Sequence, residues 1–151
     1  MSFEQTRDIL VHVREYHARV SAYYHSLRDS ASQQRVLLLV EYLSRRHTAI
    51  NAHLAACEKT AAKDILDFWF QYSRDSSLLE YIDSFTIESA MTVDAVIQQV
   101  MDIEDRLISL YRDILDNDLS DHVREYFEML LVLEEGEEQI MQRDALMMKE
   151  M

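Results

Sequence analysis

The sequence predicts an all-α protein, a four-helix bundle of two antiparallel hairpins joined by a long crossover with short helices. Three observations carry this expectation. The 151 residues include no proline and a single glycine, too little turn chemistry for a sheet protein of this size. Apolar residues recur at three- and four-residue steps through four long stretches, the period of a buried helix face. The second half of the chain also repeats the pattern of the first. At this length one domain, 1–151, is expected, with enough chain to bury a real core.

The first helix is read from Phe3, Leu10, His17 and Tyr24 on one row and Val13, Val20 and Leu27 on the next. Asp29-Ser30-Ala31-Ser32 interrupts it. The second carries Val36, Val40, Leu43, His47, Ile50, Leu54 and Cys57. Between roughly Lys59 and Met91 the chain is too long for a simple helix–helix turn. It holds two apolar pieces, Asp64–Tyr72 and Ser77–Phe85, which can run along the outside of the bundle. The third helix carries Val93, Val96, Ile97, Val100, Glu104, Leu107, Tyr111 and Ile114. Asn117-Asp118 breaks it, and Asp118 or Ser120 can cap the fourth helix. That helix carries Val123, Phe127, Leu130, Glu134, Glu137 and Met141. Each long helix would span roughly 40 Å. Two tight turns and one long crossover are the connections of a ferritin-like bundle.

Charge narrows the function classes. The formal net charge is −13, opposite in sign to what nucleic acid or an anionic membrane attracts. The start, MSFEQTRDIL, lacks the basic and apolar regions of a secretion signal, and no apolar run approaches spanning length. One cysteine excludes an internal disulfide. A soluble cytoplasmic protein is expected.

The repeat has a constant offset of 87 residues, pairing Val13 with Val100, Arg19 with Arg106, Tyr24 with Tyr111, Val36 with Val123, Glu41 with Glu128 and Leu43 with Leu130. It runs through both hairpin turns without a gap. Generic amphipathic hairpins share an apolar period, but not charged and tyrosine positions as well. On this alignment the polar residues of the buried rows also correspond: His17 with Glu104, His47 with Glu134, and Ile50 with Glu137. Each helix then contributes one ionisable residue, at matching depth, to one layer. Glu134 and Glu137 flank the glycine, Gly136, and Ala49 and Gly136 are expected to let the backbones approach there.

This constellation resembles the rubrerythrin branch of the ferritin-like superfamily. In that family each hairpin gives a Glu, a Tyr seven residues later, and a Glu-x-x-His on its second helix. Here His17 with Tyr24 stands in the first position and His47 with Ile50 in the second. Glu104 with Tyr111 keeps the third, and Glu134 with Glu137 stands in the fourth. The resemblance implies a metal in the bundle core and oxidoreductase-type chemistry on oxygen or peroxide. The exchanged ligands do not imply a standard di-iron centre, since a bridging carboxylate from the second helix is missing.

Two readings of the layer stay open. One iron, manganese or zinc ion could be held by His17, His47, Glu104 and Glu134, with Glu137 as a further ligand or nearby base and Tyr24 and Tyr111 orienting carboxylates. Alternatively, the protein is a metal-free dimeric scaffold whose core site is a set of buried His–Glu pairs. The crossover run Phe68, Trp69, Phe70 and Tyr72 points in more directions than one bundle face can cover, so a homodimer is expected. His12, His25 and His122 read as solvated, His53 as half-buried packing, and Cys57 as a small core residue.

Overall fold

The computed structural model describes residues 2–31, 33–72, 78–86 and 91–150. Four long helices form its core: α1 (Thr6–Ser30), α2 (Gln34–Thr60), α5 (Val93–Leu115) and α6 (Asp121–Glu150). Between α2 and α5 lie two short ones, α3 (Lys63–Leu66) and α4 (Leu78–Asp83). The strongest packing is within the hairpins α1–α2 and α5–α6. The second hairpin lies beside the first through contacts of α2 with both α5 and α6, while α4 rides across α1 and α5. The bundle with its long crossover is therefore the architecture expected, and it is consistent with a ferritin-like fold in general.

The helix starts reproduce the repeat, because Thr6 and Val93, and likewise Gln34 and Asp121, stand at the 87-residue offset. The helix ends show why the chain breaks there. Thr92 Oγ1 accepts from the Ala95 amide at 3.1 Å and Ser120 Oγ from the Val123 amide at 3.3 Å, each satisfying a donor of a first turn. The Arg124 side chain donates to the carbonyls of Leu115 at 2.8 Å and Asn117 at 3.0 Å, closing the turn between α5 and α6.

Two parts of the chain differ from expectation. The N-terminal residues do not extend α1. Ser2–Gln5 forms a strand, β1, paired antiparallel with β2 (Trp69–Tyr72), with Phe3 opposite Gln71 and Gln5 opposite Trp69. The first apolar piece of the crossover is thus half helix and half strand. Its β-favouring residues lie along an extended N-terminus whose own backbone groups need partners. Gly136 is not a close-approach site either, since a Cβ built there would meet nothing within 4 Å, and Ala49 is exposed. The approach of α1 to α2 occurs instead at two small residues. Ser21 Oγ donates to the Ser44 carbonyl at 2.8 Å, and Ser44 Oγ donates back to the Ser21 carbonyl at 3.0 Å.

The core is a continuous column of aliphatic and aromatic side chains from all four long helices. Tyr16, Tyr24, Tyr111 and Phe127 are its largest fully buried members. Tyr16 donates to the Ile103 carbonyl at 2.7 Å, tying α1 to α5 between positions that correspond in the repeat.

Candidate metal centre

Four ionisable residues interrupt this column, one per long helix: His17 on α1, His47 on α2, Glu104 on α5 and Glu134 on α6. None is more than 1% exposed. In a helix the residues four before and three after a position share its face. Val13 and Val20 flank His17 in this way, Leu43 and Ile50 flank His47, and Val100 and Leu107 flank Glu104, all of them buried. Glu134 has Leu130 on one side and the half-buried Glu137 on the other. The layer is therefore sealed by aliphatic side chains except along α6.

The side chains meet in sequence around the layer. His17 Nε2 lies 2.9 Å from Glu134 Oε1. His17 Nδ1 lies 2.9 Å from His47 Nδ1, and His47 Nε2 lies 3.5 Å from Glu104 Oε1. The first two are hydrogen-bond lengths; the third is too long for an effective one. His17, His47 and Glu104 each offer a ligand atom, and these three atoms lie within 4.8 Å of one another. Glu104 Oε1 and Oε2, Glu134 Oε2 and the hydroxyls of Tyr24 and Tyr111 are buried with no hydrogen-bond partner among the described residues.

Electrostatics follow from this burial. Desolvation, and then the charge of Glu134, hold the Glu104 carboxyl well above the usual carboxylate range. Desolvation by burial holds His47 well below its ordinary value, so its imidazole is neutral. Burial raises both Tyr24 and Tyr111, with Glu104 adding most to the first and Glu134 to the second. Two acids side by side in a dry core require a proton or a cation between them. Neutral imidazole nitrogen and carboxylate oxygen are also the donors that zinc, iron and manganese accept. The residues present fit a metal ion.

Glu137 stands apart from these four. Arg46 Nε donates to its Oε2 at 2.6 Å, and both side chains reach solvent. Its equivalent in the first hairpin, Ile50, is core. Tyr24 and His47 have ring centroids 5.9 Å apart. Sequence reasoning passed over Arg46, whose signal was its place directly before His47, and Tyr16, whose signal was the same place before His17. Of the remaining histidines, His25, His53 and His122 are exposed. His53 is thus not the half-buried packing residue expected, and His122 pairs with Asp64 at 2.7 Å. Cys57 is free and half-buried. No helix among the described residues is long and apolar enough to cross a membrane.

The chain matches no family model, and neither curated proteins nor solved structures yield a match.

Proposed function

We propose that the His–Glu layer binds one divalent ion, of iron, manganese or zinc, and that the protein is a divergent ferritin-like metal protein related to the rubrerythrins. The observation supporting this most directly is Glu104, wholly buried with neither carboxyl oxygen bonded to a protein donor among the described residues, beside a neutral imidazole. An ion there would supply Lewis-acid or one-electron chemistry, and the family resemblance suggests oxygen or peroxide as its object. The chain's own part is to exclude water with the flanking aliphatic residues and to hold imidazole and carboxylate in register. Tyr24 and Tyr111, on the same rows, are suited to orient the acids.

The test is elemental analysis of protein purified without chelator, with melting temperature measured with and without a strong chelator. About one ion per chain is expected. At a hundredfold excess over Kd, binding adds about 2.7 kcal/mol, which chelator removes from the wild type and not from Glu104→Gln. A metal-free wild type indifferent to chelator overturns the proposal. The second reading, a metal-free scaffold, then stands on the 2.9 Å His17–Glu134 contact as a buried ion pair.

We further propose a homodimer formed through the crossover. In the register of the two strands Phe3 and Trp69 share a face of the sheet, and they are 67% and 58% exposed. Side chains this large on one small face favour burial against a second copy. Phe68 packs on the bundle core, while the side chains of Phe70 and Tyr72 lie outside the described residues. Sedimentation at micromolar concentration should give a dimer that Trp69→Lys dissociates; a monomeric wild type would refute it.

A further inference from the structure

The contacts around the layer join its side chains into one chain of donors and acceptors. With Glu134 accepting in its 2.9 Å contact with His17, the shared proton lies on His17 Nε2. An imidazole that carries its single proton on Nε2 has a bare Nδ1. The nitrogen facing it at 2.9 Å is His47 Nδ1, which must therefore carry the next proton. A neutral His47 with hydrogen on Nδ1 has its lone pair on Nε2, the nitrogen on the Glu104 side. Had His17 been doubly protonated, its Nδ1–H would donate to His47 Nδ1, and His47 Nε2–H would have to donate to Glu104. The 3.5 Å separation there and the absence, among the described residues, of any protein donor to either Glu104 oxygen speak against that arrangement. That same separation suits two atoms sharing an ion, since tetrahedral ligands at about 2.1 Å lie roughly 3.4 Å apart.

We propose that His47 Nε2 and Glu104 hold the ion directly, while His17 does not touch it and is a positioning residue that fixes the tautomer of His47 from an anchor on Glu134. The inference rests on the metal reading above and divides the labour within it. A carboxylate behind a histidine ligand is a recurrent device for orienting the ring and strengthening its donor nitrogen. Here a second imidazole is inserted between the carboxylate and the ligand. The first hairpin thus supplies both a ligand and the ligand's support.

Nitrogen-15 NMR of histidine-labelled protein reads this directly, because protonated, bare and metal-bound ring nitrogens resonate far apart. In chelator-treated wild type, His47 should carry its proton on Nδ1 and His17 on Nε2. On titration with Zn²⁺, His47 Nε2 should move to the metal-bound range while both His17 nitrogens keep their protonation pattern. His17→Phe, which keeps the ring volume, should weaken zinc binding by about 10–100-fold, whereas His47→Phe and Glu104→Gln should abolish it. A His17 nitrogen that enters the metal-bound range, or a His47 proton on Nε2 in the metal-free protein, overturns the division of roles and leaves the metal reading intact. Failure of Zn²⁺, Mn²⁺ and Fe²⁺ all to bind the wild type overturns both. The wild-type spectra decide the matter even if a variant does not fold.

Discussion

Three buried tyrosines provide a calibrated test of how the core treats a hydroxyl. Tyr16, Tyr24 and Tyr111 are each 0% exposed, so replacing any of them by Phe removes one oxygen and almost no packing. Their surroundings differ. The Tyr16 hydroxyl donates to the Ile103 carbonyl at 2.7 Å, whereas those of Tyr24 and Tyr111 have no protein partner among the described residues. Tyr16→Phe forfeits a buried hydrogen bond, a net loss of about 1 kcal/mol, because the Ile103 carbonyl keeps a place in its own helix. Tyr24→Phe and Tyr111→Phe relieve a desolvated hydroxyl, whose unmet cost is about 1–3 kcal/mol. In chelator these two variants should therefore be neutral or more stable than wild type, and Tyr16→Phe less stable. For a chain of this size 1 kcal/mol corresponds to about 2–4 °C in Tm, which urea denaturation and calorimetry both resolve. With the site loaded, Tyr24→Phe and Tyr111→Phe should lose the advantage if the phenols orient the acids. A loss in Tyr24→Phe equal to that in Tyr16→Phe, with chelator present, would refute the reasoning.

Other expectations rest on single contacts. His122 on α6 is held above its ordinary value by Asp64 of the crossover, and Asp64 below its own by His122. The His122 contribution is complete below its unfolded value and lost as pH rises through the folded one; the Asp64 contribution is lost as pH falls through its folded value. The pair therefore helps most at mildly acidic pH, and in Asp64→Asn the NMR titration midpoint of His122 should fall. Thr92→Ala removes the acceptor that caps α5 and should cost about 1 kcal/mol in urea denaturation, with Thr92→Ser close to wild type. Arg46→Met leaves Glu137 without its partner beside the acidic layer and should cost about 1–2 kcal/mol. Glu137→Gln should cost less, because it also removes a charge that repels Glu104.

What the sequence made legible was whatever local periodicity and the repeat both encode. Val13, Val20, Leu43, Val100, Leu107 and Leu130 fall on buried rows and are core. His17, His47, Glu104 and Glu134 on the same rows are core as well, because a helix cannot turn one position outward without turning its neighbours. The strand at Ser2–Gln5 was not legible, since its pairing with Trp69–Tyr72 joins segments distant in sequence and the heptad row runs on through Phe3 as though the helix did too. Gly136 misled for a related reason: a missing side chain does not say what stands opposite it. Glu137 shares the register of Glu134, but Arg46 on the neighbouring helix decides where its carboxylate rests, and that is a property of packing between helices. The direction of each ring nitrogen lies further still from sequence.

The equivalence of the two hairpins also limits what either could do by itself. Two identical copies of the first, related by a two-fold axis, would set imidazole against imidazole at every corner of the layer, with no acid to anchor a ring or balance a cation. Two copies of the second would crowd four carboxylates into a space without water. Because the hairpins are covalently joined, a change at His17 need not be repeated at Glu104, and base and acid can be allotted to opposite sides of one chamber. The long crossover, by linking unlike halves, makes a chemically lopsided interior available to two hairpins whose helices begin at equivalent positions.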